Sequence, residues 1–309
     1  MKKISFLMAV HNEEKLLKSS LEHLSKNIPY KNYEVLIGLD GCTDKSEKIV
    51  KNFVKNEPKK FRYFVLNKRN GKPAVINNII KRAYGEIIII NDADWKYTSE
   101  NSESMTKLIN LFDDKRVGGI AESFPVEWDS KKINEAGFGY KMVAYSSYYW
   151  LQYQKEKFST RNKKINIIKT PNMWLTNIFR KELFKANNSL GDDFERTQDI
   201  SNAGYKILFF TDLKMPRMIA IYNKIPVRDL FRQKIRTAIA RRQLEEKEGN
   251  NITTQKYYGP LLFYMIRKSL KNRAFRFVFS WIVLTIIATL YSKLKNENTK
   301  EGWKRRIQR

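Results

Sequence analysis

Apolar residues come in short β-branched runs through the first 120 positions, and the segments between them carry helical spacing. The runs are ISFLMAV (residues 4–10), YEVLIGLD (33–40), FRYFVL (61–66) and EIIIIND (86–92), with VGGIAES (117–123) as a fifth. Between the first four, amphipathic segments begin near Glu13, Thr43 and Pro73. Thr43 has the chemistry of a helix N-cap, and a proline such as Pro73 fits a first helical turn. Strand-helix-strand alternation of this kind predicts a doubly wound, mostly parallel sheet with helices on both faces.

The run IIIINDAD (87–94) sharpens that prediction. Four isoleucines in a row suit a strand buried on both faces. Two carboxylates, Asp92 and Asp94, stand at its exit. In open α/β sheets, ligands bind beyond the carboxyl ends of the strands. A pair of carboxylates there suits a divalent cation and a phosphate, although a polar turn after a strand has the same composition.

Beyond residue 123 the rhythm loosens and aromatics gather in YKMVAYSSYYWLQYQ (140–154) and TPNMWLTNIFRKELF (170–184). A helix followed by a strand returns in DFERTQDISNAGYKILFF (193–210), and a basic helix spans roughly 226–247. The apolar run FVFSWIVLTIIATLY (277–291) lies between basic clusters: Arg267, Lys268, Lys271, Arg273 and Arg276 before it, Lys293, Lys295, Lys304, Arg305, Arg306 and Arg309 after it. These shifts divide the chain into 1–225, a sheet domain; 226–256, a basic amphipathic helix; and 257–309, a basic and apolar tail.

Composition adds constraints. Fifty-nine Lys and Arg against 32 Asp and Glu give a formal charge of +27, which calls for a polyanionic partner. Nucleic acid, an anionic membrane and phosphorylated substrates all qualify. One cysteine, Cys42, excludes an internal disulfide and a cysteine-rich zinc site. Two histidines, His11 and His23, are too few for a histidine metal site, so any metal would have oxygen ligands. The N-terminal run leads at once into acidic residues, which favours a first strand over a signal peptide.

Five stretches in order, AVHNEE, IGLDGCTD, NGKPAVIN, NDAD and GDDFERTQDISNAGYKI, resemble glycosyltransferase family 2, whose members have the GT-A fold. The resemblance runs from residue 3 to about 245. It implies that Val10, Asn12 and Glu13 of the opening motif lie beside the nucleotide base, with His11 in place of the usual tyrosine. Asp40 aligns with the second aspartate of the paired-aspartate stretch and is implied to accept a hydrogen bond from base or ribose. Leu39 and Cys42 replace its first aspartate and its serine. Lys72 and Asn77 match the Gly-Lys…Asn pattern beside the nucleotide, although Lys72 also reads as a solvated lysine before a helix.

In the family's metal motif Asp94 touches the ion, Mg²⁺ or Mn²⁺, and Asp92 contacts the ribose or the metal shell. Asp193 aligns with the catalytic base, and Asp192 beside it raises its proton affinity. The same two residues also read as an N-cap and a first-turn aspartate. QKIRT (233–237) resembles the family's Gln-x-x-Arg-Trp motif, so Gln233 and Arg236 are implied at the diphosphate, with Thr237 where the tryptophan stands. Arg228, Arg232 and Arg236 share one helix stripe, which is also what a solvated basic face looks like.

The implied function is an inverting, metal-dependent glycosyltransferase. It moves a sugar from a nucleotide-diphosphate donor to a hydroxyl acceptor, lipid-linked or glycan, at the cytoplasmic face of a membrane. Tyr145, Tyr148, Tyr149, Trp150 and Trp174 are candidate sugar-stacking surfaces. No nucleic acid is expected as a partner, although a basic nucleic-acid-binding protein accounts for the charge. A nucleotidyltransferase accounts for the D-x-D pair. As a helix, 277–291 is about 22 Å long, against a bilayer core of about 30 Å. Interfacial or re-entrant, spanning and buried core placements of the tail remain open.

Overall fold

The computed structural model describes residues 3–121, 133, 135–160, 164–169, 174–186, 189–210, 214–220, 224–248 and 254–294. It divides into two units. The first comprises Met1–Pro125, Asn162–Asn188 and Asp192–Ile221; the second comprises Val126–Arg161, Ser189–Gly191 and Tyr222–Arg309.

The first unit is built on an eight-stranded sheet of order β3-β2-β1-β4-β8-β6-β9-β7. Its strands are β1 (Ile4–Val10), β2 (Tyr33–Asp40), β3 (Phe61–Leu66), β4 (Ile87–Ile90), β6 (Val117–Ala121), β7 (Ile165–Ile167), β8 (Thr176–Arg180) and β9 (Lys206–Phe210). Neighbours β3, β2, β1 and β4 are parallel. Strand β8 is antiparallel to both β4 and β6, β9 returns parallel to β6, and β7 closes the edge antiparallel to β9. The helices α1 (Leu17–Lys26), α2 (Ser46–Asn56), α3 (Lys72–Ile79), α4 (Ser102–Asn110) and α6 (Asp192–Asn202) connect them.

The runs of β1, β2 and β4 are buried along their whole length. Alternate side chains of β1, β2 and β4 join Leu17, Leu21 and Leu24 of α1, Val50 of α2, and Met105 and Leu108 of α4 in one core. Helix α3 covers the opposite face, where Gly38 gives it room. A Cβ at that position would run into the Val75 side chain of α3. Both faces are therefore covered, as the apolar runs require.

The order matters for the site. From β1 the chain winds outward through β2 and β3, then crosses to β4 on the other side of β1. Such a switch point opens a crevice beyond the carboxyl ends of the two strands. Strand β5 (Trp95–Thr98) follows it directly and pairs antiparallel with β10 (Arg217–Ala220) in a separate two-stranded ribbon.

Two expected helix starts move. Helix α1 begins at Leu17, because the carbonyl of Glu13 accepts from the amides of Leu16 and Leu17 in a preceding turn. Helix α2 begins at Ser46, and Thr43 is not its cap. The Thr43 amide and hydroxyl are engaged by the Asn12 side chain, and Asp44 Oδ1 accepts from the Ser46 amide instead.

The second unit is helical: α5 (Phe138–Phe158), α7 (Val227–Glu248), α8 (Thr254–Lys271) and α9 (Phe275–Ser292). Helix α5 falls here rather than with the sheet, because its aromatics find partners at the C-terminal end. Tyr145 stacks on Phe277 at 5.6 Å, Tyr153 meets Tyr264 at 5.4 Å, and Asn272 Nδ2 donates to the Tyr149 hydroxyl. Ile235 and Ile239 of α7 pack on Ala288 of α9.

Candidate active site

The loop after β1 grips the loop after β2. Asn12 sits at φ 56°, a left-handed conformation that asparagine tolerates. Its Oδ1 accepts from the amides of Thr43 (2.8 Å) and Asp44 (3.3 Å), and its Nδ2 donates to Thr43 Oγ1 (3.0 Å). The Glu13 amide donates to Ser46 Oγ at 2.8 Å. Val10 is fully buried at the strand end. His11 Nδ1 lies 2.6 Å from the Asp40 carbonyl, so that nitrogen carries the proton and donates. His23 donates from Nε2 to the Tyr97 carbonyl and accepts at Nδ1 from Asn27, which uses both nitrogens for structure.

Asp40 is 0 % exposed. Its Oδ1 accepts from the Asn70 amide at 2.7 Å and its Oδ2 from the Gly71 amide at 2.9 Å. Both oxygens are thus committed to the loop that precedes α3, and the residue is not presented for a base or ribose. The reason is positional: Gly71 turns the chain at φ 92° to start α3, and its amide and that of Asn70 would otherwise be orphaned.

That anchored loop aims Lys72, the first residue of α3. Its ammonium lies 2.7 Å from Asp92 Oδ1 and 3.0 Å from Oδ2. Lys72 is therefore no solvated lysine. Burial disfavours its charge, but Asp92, Asp192 and Asp193 together raise its proton affinity above the ordinary lysine value. Asn77, part-buried, lies one turn further along α3.

Asp92, Ala93 and Asp94 form the turn between β4 and β5. Asn91 fixes it: the Asn91 amide donates to the Leu7 carbonyl, and its Nδ2 donates to the Asp92 and Trp95 carbonyls. Asp94 is part-buried. Among the described residues no group of three or more His, Cys, Asp or Glu side chains is gathered as a metal cage. The available oxygen donors fit Mg²⁺ or Mn²⁺, which are held by one or two carboxylates and take further oxygens from water and substrate phosphates. Asp92 and Asp94 could supply such carboxylates.

Asp192 and Asp193 open α6. Asp192 Oδ2 accepts from Arg196 Nη2 at 2.9 Å, and Arg196 Nη1 donates to the Thr176 carbonyl, tying the helix start to β8. Asp193 is pushed above the ordinary carboxylate value, first by burial and then by the Asp192 charge; Lys72 and Arg196 pull the other way.

Gln233 and Arg236 are part-buried on α7, in the second unit. Thr237 bonds back to the Gln233 carbonyl at 3.0 Å. Of the arginine stripe, Arg228 and Arg232 are exposed. Trp174 is 2 % exposed and packs edge-on against Phe209, so it is core rather than a sugar-stacking face. Tyr149 is likewise buried, and Tyr145 is taken up by Phe277.

Two participants escaped the sequence reading. Arg196 supplies the countercharge to Asp192, a pairing that the i, i+4 spacing of Asp192 and Arg196 would have revealed. Arg69 packs its backbone on Gly41, and its Nε and Nη2 are buried with no acceptor among the described residues. No local pattern announces that.

The family model described as glycosyl transferase family 2 matches residues 5–186. A poly-beta-1,6-N-acetyl-D-glucosamine synthase of Staphylococcus epidermidis is 34% identical over 91 residues, 29% of this chain, which spans only 21% of that protein's length. A dolichyl N-acetyl-alpha-D-glucosaminyl phosphate 3-beta-D-2,3-diacetamido-2,3-dideoxy-beta-D-glucuronosyltransferase of Methanococcus voltae is 25% identical over 296 residues, covering 93% of this chain and 81% of that one. Among solved structures, the mannosyltransferase PcManGT from Pyrobaculum calidifontis, in complex with GDP-Man and Mn2+, superposes with a TM-score of 0.56. The identity is 18%, and the superposition covers 95% of this chain and 78% of that one; the likeness is one of fold. With the family model matched over more than half of its 309 residues, the chain belongs to glycosyltransferase family 2 and has the GT-A fold.

Proposed function

We propose that the protein transfers a sugar from a nucleotide-diphosphate donor to an acceptor hydroxyl, with inversion at the anomeric carbon, at the cytoplasmic face of a membrane. The observation that carries this is the convergence of Lys72, Asp92, Asp192 and Asp193 from three separate elements at the sheet's carboxyl edge. One carboxylate, Asp193, has its proton affinity raised, as a general base acting near neutrality needs. Asp193 takes the proton from the acceptor hydroxyl as that oxygen attacks.

Lys72 holds Asp92 in place and brings positive charge to the donor. Asp92 would contact the ribose or the metal shell, and Asp94 would be the ligand that holds Mg²⁺ or Mn²⁺ directly. When bound, the ion offsets charge on the leaving nucleoside diphosphate. Arg236 with Gln233 contributes a planar guanidinium suited to phosphate. Asn12, Glu13 and Asn77 line the donor side, Val10 supports them from the buried strand end, and Asp40 acts on the donor through the loop it holds. The basic charge and the apolar tail favour a lipid-linked acceptor over a soluble glycan.

The test is a thermal-shift screen of nucleotide sugars with and without Mn²⁺, followed by the product's anomeric configuration by NMR. A metal-dependent rise in melting temperature with one donor, and an inverted product, are expected. No stabilisation by any nucleotide sugar would reject the donor assignment, and a retained anomeric centre would reject Asp193 as base.

A further inference from the structure

Helix α9 has two apolar faces, and only one is covered. At ~100° per residue, the exposed residues Phe275, Phe279, Val283, Ile286, Ile287, Leu290 and Tyr291 fall within an arc of roughly 160°. The buried residues Phe277, Val278, Ile282, Ala288 and Ser292 fall on the other side and dock on α5 and α7. Leu290 is 59% exposed. An apolar stripe that runs the length of a helix marks an interaction surface rather than scattered surface residues.

The cations are arranged with the stripe. Arg276 and Lys293, both exposed, stand on the same arc, one at each end. On α8 the exposed Phe263 and Leu270 share a face with the exposed Arg267 and Lys271, at spacings i, i+4, i+7 and i+8. Apolar positions bordered by lysine and arginine on one face suit an anionic lipid surface, with the apolar side chains below the headgroups and the cations among them.

We infer that α8 and α9 seat the protein in one leaflet of an anionic bilayer, with α9 lying in the membrane plane rather than across it. Its length and composition pass for a span. Its covered face does not permit one: Lys234 lies 4.0 Å over the Trp281 ring, near the middle of α9, and Arg242 Nη1 donates to the Ser292 carbonyl. A spanning α9 would carry Lys234, which packs on its middle, into the bilayer core, where an ionisable side chain is disfavoured. In the plane, Lys234 stays on the protein side. The inference rests on the membrane part of the proposed function and is independent of donor and base.

The test uses the full chain with phosphatidylcholine vesicles, with and without phosphatidylglycerol. Sedimentation should require phosphatidylglycerol. Ile286→Asp with Leu290→Asp, both at exposed positions, should abolish binding, and Arg276→Glu with Lys293→Glu should weaken it roughly tenfold or more. In a Cys42→Ser background, the Arg273→Cys and Lys293→Cys variants should both react with an impermeant maleimide added outside sealed vesicles. Protection of either one until detergent is added would overturn the in-plane placement. Absence of binding, binding unchanged by the aspartates, or a lipid-free dimer that the aspartates dissolve would overturn the lipid assignment. Donor thermal shifts should be the same in every variant, which separates this failure from failure of the donor assignment.

Discussion

Lys72 Nζ sits 2.7 Å from one oxygen of Asp92 and 3.0 Å from the other, joining the first residue of α3 to the turn after β4. The two meet because β1 lies between β2 and β4 and because Gly38 lets α3 close onto the sheet. This ion pair is mostly shielded, with Lys72 the more deeply placed partner. Removing one member of such a pair leaves its partner uncompensated.

Lys72→Met should therefore weaken donor binding by tenfold or more, and Lys72→Arg should not restore it, because a planar fork cannot replace a compact ammonium. Combined with Asp92→Asn, the loss should be smaller than the sum of the single losses. Isothermal titration with the donor found in the nucleotide-sugar screen measures the coupling; simple additivity would show that the pair does not act as a unit.

The metal assignment predicts a different pattern. Asp94→Asn should remove the Mn²⁺ dependence of donor binding while leaving the fold intact, since the residue lies in a turn at the sheet edge. Titration of donor with and without Mn²⁺ checks it. Unchanged affinity in the presence of Mn²⁺ would move the ligand elsewhere.

Asp193→Asn keeps the size of the side chain but removes its basic oxygen. Transfer should fall roughly 10²–10⁴-fold, about 3–5 kcal/mol in barrier, with donor affinity nearly unchanged. In the wild type, raised proton affinity at Asp193 places the acidic limb of the rate profile above the ordinary carboxylate range. Rate should be lost as pH falls through that limb, and initial-rate measurements across pH would show it.

Much of this was legible in the chain. The β-branched runs predicted the sheet, the carboxylates at the exit of the fourth run singled out Asp92 and Asp94, and the family resemblance singled out Asp192 and Asp193 at a helix start. The antiparallel β8 was not legible: Thr176–Arg180 is five residues long, and its partners lie far away in sequence, so no local period marks it. Helix α5 looked like part of the sheet domain because its partners, Phe277, Tyr264 and Asn272, come more than a hundred residues later. Both arcs of α9 are apolar, so sequence gave its length but not which face was covered. Asp40 was recognisable as special, but only the structure showed its oxygens turned inward onto amides.

Glu34 makes a stability prediction away from the site. Burial raises its proton affinity, but hydrogen bonds from Ser5 Oγ, the Tyr84 amide and Arg62, with the Arg62 charge, outweigh this and leave its pKa below the ordinary value. A carboxylate with a depressed folded-state pKa adds stability above its unfolded pKa, and that stability is lost as pH falls through the folded value. Urea midpoints should thus drop on acidification below the ordinary glutamate range. Glu34→Gln should flatten that drop and cost about 1–3 kcal/mol at neutral pH.

Asp40→Asn tests whether the buried aspartate serves the donor through its loop. Both carboxylate oxygens accept from amides, Asn70 at 2.7 Å and Gly71 at 2.9 Å. An asparagine supplies one acceptor oxygen and turns its NH₂ toward the other N–H, so one amide loses its partner at a buried position. That costs about 1–3 kcal/mol of stability. The loss falls on the turn that starts α3, so Lys72 loses its fixed approach to Asp92. Donor affinity should drop together with the melting temperature, and Lys72→Met should add little further loss of affinity in the Asp40→Asn background, because both changes act through the same ammonium. A direct contact between Asp40 and the nucleotide would give a different signature: affinity losses that add fully to those of Lys72→Met, with the melting temperature of the unliganded protein unchanged.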